Sequence, residues 1–358
     1  MGRRASASGS DAGGPALHVA LFGKHPAWAD FLSVGLETDE LRLLEQVLFD
    51  QGIDGNIASG VWGDPKERGQ EIVERFNHAF VMLNGAGLLI GQWWPSRDRV
   101  GRSRPLAVCI QTESIPFARA IRVVFAQLHG TVPCLQGESS QQGVVAIVDG
   151  LRVALRAALC PSSLPPPDHE LSFCPSLSWF LAHDVLSGDG DSLLRLLFLV
   201  KEALDFAESQ PQHLRLPVCG TDAVETGVRW LDLLTRHFAP DQPCLLLMPA
   251  DAAWVDLVVG QPDSLTLLCL GNRSQDNALD DDLSVAPSFL ALAEKALGNA
   301  QAKGGDVLLR EPRQKTVVLG EGSGTGRSVP AMSSKAILAL VAIVVLLIVL
   351  AVALVVVL

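Results

Sequence analysis

The chain has 358 residues, 48% of them hydrophobic, with Lys+Arg 28 against Asp+Glu 39 and a net charge of −11. Residues 301–335 carry six basic and three acidic side chains, so the remainder is more acidic still, and an acidic body of this kind argues against nucleic-acid binding. Seven widely spaced cysteines include no metal-type C-x-x-C pair and read as buried free thiols in a reducing compartment.

Residues 1–15 open with two arginines but no apolar run, so they are a disordered tail and not a signal peptide. The first folded stretch begins near Leu17: 17–22 (LHVALF) reads as a strand that turns at Gly23. Residues 39–49 read as an amphipathic helix with Leu41, Leu44, Val47 and Leu48 on its apolar face, capped by Thr38 or Asp39. Residues 80–83 and 88–93 form a β-hairpin around Asn84–Gly87, and 106–111 is a further strand. A helix follows at 118–128, then a breaker-rich stretch at 130–143, then a helix at 144–159. The proline-rich run 160–167 cannot continue that helix. Helices are expected near 193–207 and 224–238, strands at 244–248, 254–259 and 265–270, and a last helix at 287–297. Strands in groups, with helices between the groups, predict an α+β class: a layered α/β sandwich with a mainly antiparallel sheet.

Residues 301–335 are a flexible basic linker containing the Gly-rich run 320–326. Residues 336–358 are uncharged and wholly apolar, long enough at about 1.5 Å per residue to span a hydrocarbon core of about 30 Å. They read as one C-terminal transmembrane helix. Lys335 and Arg327 before it place the folded part in the cytoplasm, anchored by a single pass at the inner membrane. The domain plan is therefore a tail (1–15), an N-terminal domain (16–130), a second α+β region (131–300), a linker and an anchor.

Two strings carry most of the specific information. The first is Gly23-Lys24-His25-Pro26-Ala27-Trp28-Ala29-Asp30-Phe31. It reads as a structured turn with Trp28 and Phe31 packed inward and Asp30 bonded to turn amides. The alternative is a polar site of Lys24, His25 and Asp30, although no serine or cysteine nucleophile is marked nearby. The second runs from Trp93 to Leu106 and contains Pro95, Ser96, Arg97, Asp98, Arg99, Gly101, Arg102, Arg104 and Pro105. Its arginines suit a carboxylate or phosphate contact. Equally, Arg99 or Arg102 ties the loop to Asp30 or Asp98 by ion pairs.

Taken together the strings resemble the TagF (ImpM-like) family of type VI secretion accessory proteins. The resemblance rests on Phe22-Gly23-Lys24, Pro26, Asp30-Phe31, Pro95-Ser96, Asp98-Arg99-Val100-Gly101-Arg102 and Pro105-Leu106, and covers roughly residues 17–130. Ala29 stands where the family has glycine, Arg97 and Arg104 add charge, and the C-terminal anchor is not a usual family feature. What the resemblance implies is a non-enzymatic regulator that restrains secretion after translation, with type VI components and a forkhead-associated scaffold protein as partners. No cofactor or metal set is apparent, and the adjacent pairs His169-Glu170 and His183-Asp184 do not face one another. Thr316, with Leu319 three positions on, fits a phosphothreonine read by such a scaffold. Two other functions compete: an enzyme acting on a phosphorylated substrate through Lys24, His25, Asp30 and the loop arginines, and a tail-anchored adaptor of another bacterial membrane complex.

Overall fold

The computed structural model describes residues 16–62, 76–85, 87–113, 116–160, 179–180, 190–219, 222–238, 242–271 and 285–303. The chain divides into two units, Met1–Glu311 and Pro312–Leu358, and every described residue lies in the first.

Eight described strands form one sheet: β1 (Leu17–Gly23), β2 (Leu32–Val34), β3 (His78–Asn84), β4 (Gly87–Trp94), β5 (Leu106–Thr112), β6 (Gln212–Pro217), β7 (Cys244–Pro249) and β8 (Trp254–Val259). Their order is β2-β1-β5-β4-β3-β7-β8-β6, and every pairing is antiparallel. The last three strands come from the 131–300 stretch, yet they continue the same sheet through the β3–β7 pairing.

Both faces of the sheet are covered, which explains why the central strands read as unbroken apolar runs. In β1, Leu17, Val19 and Leu21 point to one face, and Ala20 and Phe22 to the other. The first face packs under five helices: α3 (Phe117–Gly137), α4 (Gln141–Ala158), α5 (Gly190–Phe206), α6 (Ala223–Leu233) and α7 (Pro287–Lys303). The second packs under α1 (Asp39–Glu45), its π-helical continuation Gln46–Asp54, the short α2 (Gly55–Ala58) and a 3-10 helix, Thr266–Gly271. The adjacent Trp93 and Trp94 are buried on opposite faces, Trp93 stacked on Phe80 at 5.3 Å and donating to His78 Nδ1 at 3.1 Å. They fix the start of the second motif string in the core.

Several expectations are corrected. Residues 265–270 are not a strand. Asp263 caps a helical turn, its carboxylate accepting the Thr266 N–H at 2.8 Å and its carbonyl the Leu267 N–H at 3.1 Å. Leu267 and Leu270, three apart, then face the second core. The breaker-rich stretch from 130 does not end α3, which continues through Pro133 to Gly137. Its buried residues Ile121, Val124, Leu128, Val132 and Leu135 keep the helical period across the proline, so tertiary packing overrides the local breakers. Thr38 is the cap of α1, accepting from the Leu41 N–H at 3.2 Å.

The expected C-terminal transmembrane helix is also corrected, and with it the single-pass placement at the inner membrane. Among the described residues no helix is long and apolar enough to cross a membrane. Apolar composition at 336–358 is a property of sequence, and that segment lies outside the described residues, as do the tail 1–15, Thr316, His169-Glu170, His183-Asp184 and all of the linker after residue 303.

Candidate functional site

The first string starts where β1 meets β5. Gly23 has φ +127°, and a Cβ there would lie 2.2 Å from the Pro105 carbonyl oxygen. Only glycine allows that approach. The Lys24 N–H donates to the same oxygen at 3.3 Å, which locks the two strings together. His25 turns inward and is buried. Its Nδ1 accepts the Ala27 N–H at 3.0 Å and its Nε2 lies 3.0 Å from the Leu135 carbonyl. An amide can only donate and a carbonyl only accept, so the ring is held as the Nε2–H tautomer. Trp28 meets this ring edge-on at 5.4 Å, and Gln141 donates to the Ala27 carbonyl at 3.1 Å. The turn is pinned to the end of α3 and the start of α4. Pro26, Ala29, Asp30 and Phe31 remain exposed.

In the second string the organising residue is Asp98, whose side chain is wholly buried. Its Oδ1 accepts the backbone N–H groups of Val100 (3.0 Å) and Arg102 (2.9 Å). Its Oδ2 takes Lys24 Nζ at 3.0 Å and Arg102 Nε at 2.7 Å. Backbone bonds from Asp98 N–H to Arg102 O and from Gly101 N–H to Asp98 O close the loop, with Gly101 at φ +91°. Arg102 also donates to the Ala29 carbonyl at 2.7 Å and to Asp30 Oδ1 at 3.2 Å, and Lys24 reaches Asp30 at 3.4 Å. Two carboxylates and two cations thus form one network across 74 residues of sequence.

Burial alone would raise the pKa of Asp98, but the bonds from Lys24 and Arg102 outweigh it and hold the carboxyl well below the usual range. The Phe31 N–H, then Lys24 and Arg102, lower that of Asp30, and the bond and charge of Asp98 raise that of Arg102. This network fixes charge; it offers no carboxyl group poised to exchange a proton near neutral pH.

The other motif residues are dispersed around this hub. Pro95 and Ser96 are half-buried, Ser96 accepting the Arg104 N–H at 3.1 Å, and Pro105 is buried. Arg97 pairs with Ser103 in an isolated bridge, and Arg104 forms an ion pair with Asp54 at 2.8 Å. The Arg99 N–H donates to the Trp28 carbonyl at 2.7 Å, while its side chain points outward and makes no ion pair among the described residues. Of the two pairings expected for the arginines, Arg102 makes both and Arg99 neither.

A second polar cluster escaped the sequence reading. Asp256 on β8 is buried opposite Arg215 on β6. It accepts from Arg215 Nε (2.8 Å) and from His213 Nε2 (2.8 Å) on one oxygen, and from an Arg215 terminal nitrogen (3.2 Å) and Trp254 Nε1 (3.2 Å) on the other. The guanidinium lies 4.5 Å over the Trp254 ring. His213, Asp256 and Cys269 bring potential metal-ligand atoms within 4.8 Å of one another. The donor set fits a metal poorly: Arg215 engages both Asp256 oxygens, and burial, then the Asp256 charge, push the Cys269 thiol well up. A small cavity beside it is lined by His78, Asp251, Trp254 and Asp256, and no motif residue lines that cavity. The signal for this cluster was Asp256, a lone acid inside the apolar run Trp254–Val259, whereas Arg215 lies in the mixed run Gln212–Pro217.

No curated protein matches the chain. A crystal structure of PA0076 from Pseudomonas aeruginosa PAO1 matches with 22% sequence identity over 41% of this chain and 64% of that one, at a TM-score of 0.27. The family model "TagF N-terminal domain, Type VI secretion system-associated" matches residues 20–132, a span that contains both motif strings and the whole Asp98 network. The resemblance seen in the two strings therefore holds over residues 20–132, which match the TagF N-terminal domain of the type VI secretion-associated family.

Proposed function

We propose that the chain is a non-enzymatic regulator of type VI secretion that works by protein–protein contact. Its partners are components of that apparatus, with a forkhead-associated scaffold among them, and its effect is to restrain secretion after translation. The observation that supports a contact role over catalysis is the state of the Asp98 network. Lys24 bonds to two carboxylates, Asp98 has four donors, and both ring nitrogens of His25 are engaged. A catalytic lysine, histidine or carboxylate has to be available to a substrate. Here those groups instead brace a loop that presents its tip to solvent.

The test is purification of the tagged full-length protein from its native cells, with partners identified by mass spectrometry, alongside secretion assays in a strain lacking the gene. Type VI components are expected to co-purify, and secretion is expected to rise without the protein. Recovery of none of them, together with unchanged secretion, would refute the reading.

A further inference from the structure

The four arginines of the second string have different fates. Arg102 is paired with Asp30 and Asp98, Arg104 with Asp54, and the backbone of Arg97 is bridged to that of Ser103. Arg99 lies at the tip with its backbone clamped to Trp28 and its side chain exposed, in no ion pair among the described residues. Its neighbour Val100 is 68% exposed, and Phe31, in the segment tied to Arg102, is 39% exposed with its ring edge-on to Phe49 at 5.6 Å. The tip therefore joins an outward cation to exposed apolar surface on a backbone that is already rigid.

We infer that Arg99 and Val100 dock an acidic peptide segment of a protein partner, one carboxylate taken by Arg99 and one apolar side chain laid against Val100. This rests on the contact role proposed above and names the chemistry of the partner. Charge complementarity selects a carboxylate, which a guanidinium grips with two parallel bonds. The apolar component selects a peptide over a free anion, because phosphate gains nothing from the exposed valine. An anionic bilayer is held by clusters of several free Lys and Arg side chains, whereas in this loop Arg102 and Arg104 are already taken up in ion pairs. Rigidity strengthens the contact: the Asp98 cage has already removed the loop entropy that binding would otherwise cost. Arginine flanked by apolar surface is also the composition of an interface hot spot.

The full-length protein can be panned against a random-peptide display library, with the peptides that survive assayed on wild type, Arg99→Glu, Val100→Ser and the distant control Arg42→Ala. Selected peptides are expected to carry Asp or Glu beside an aliphatic residue. Arg99→Glu should weaken them at least about tenfold and Val100→Ser about threefold, with Arg42→Ala unchanged. Both tip residues are exposed, so each variant should melt with wild type. Failure to select acidic–aliphatic peptides, equal binding to Arg99→Glu, or displacement by inorganic phosphate or by phosphatidylserine vesicles would overturn the inference. The two readings fail separately. Type VI components retained equally by wild type and Arg99→Glu would remove the docking tip and leave the regulator role intact, whereas their absence from wild type would remove the role itself.

Discussion

Replacing Arg215 by methionine isolates the cost of an unpaired charge inside the sheet. Arg215 is 6% and Asp256 2% exposed, and they face each other directly in the β6–β8 register. The substitution keeps a long apolar stem over Trp254 but removes two of the four donors to Asp256. His213 and Trp254 remain as partners, so the carboxylate is not left bare. Removing one member of a buried pair costs about 3–5 kcal/mol, and the surviving donors place this variant near the lower end. At roughly 2 °C per kcal/mol for a unit of this size, Tm should fall by about 6–8 °C. The decisive measurement is the double variant Arg215→Met/Asp256→Leu in urea and thermal melts. With no charge left to bury, it should be more stable than Arg215→Met alone. If the double variant is less stable than the single, the penalty is lost packing and not an orphaned carboxylate, and the reasoning is refuted.

Acidification should reveal Asp98. Its folded pKa is depressed, so its contribution to stability is present above the unfolded value of about 3.9 and is lost as the pH falls below it. Asp98→Asn should be destabilised at neutral pH and show a shallower loss in urea midpoint below about pH 4 than wild type. In β4, a Cβ on Gly91 would lie 2.3 Å from both the Phe80 ring and the Val108 carbonyl oxygen, so Gly91→Ala should cost about 1–3 kcal/mol by overpacking. Gly150 in α4 has open space at its Cβ, and Gly150→Ala should gain about 0.5–1 kcal/mol in the same melts. Alkylation of the native protein followed by mass spectrometry should mark the exposed Cys134. Cys109, Cys244 and Cys269 should react only after denaturation, since they are buried and desolvation raises their thiols, that of Cys244 to about 12.

What the sequence made legible follows from the range of the forces involved. β1, the β3–β4 hairpin, β5, β7 and β8 could be read because two-sided burial writes an apolar run that needs no distant partner to be recognised. β6 could not. Its six residues, Gln212 to Pro217, include just two leucines, and the Arg215 charge is met by Asp256, 41 residues later. The run 265–270 was apolar enough for a strand, but the Asp263 cap chose a helical turn. In the site, the spacing of the two strings identified the residues but not their roles. Asp30 looked like the structural acid, yet its side chain is 83% exposed, and the buried acid is Asp98. That outcome depends on Lys24 arriving from 74 residues away while the loop's own amides close around the carboxylate.

The division of labour in the second string separates what holds the loop from what the loop presents, and the separation can be tested. Gly23, Asp98, Gly101, Arg102 and Pro105 set the backbone by close approach, charge and positive φ. Arg99 contributes its N–H to that scaffold, but its side chain and that of Val100 contribute nothing to it. Any side chain of ordinary backbone preference at 99 and 100 should therefore be compatible with the same loop. The paired substitution Arg99→Ser/Val100→Thr should leave Tm within about 1 °C of wild type, because exposed positions away from caps and ion pairs usually change stability by no more than about 0.5 kcal/mol. Arg102→Ala removes bonds to Asp98, Asp30 and the Ala29 carbonyl at once. It should lower Tm measurably and speed amide hydrogen exchange at Val100 and Arg102, whose N–H groups depend on the Asp98 cage. If the tip substitution destabilises the protein as much as Arg102→Ala does, the tip is part of the scaffold. Presentation would then have to be assigned to another surface of the domain.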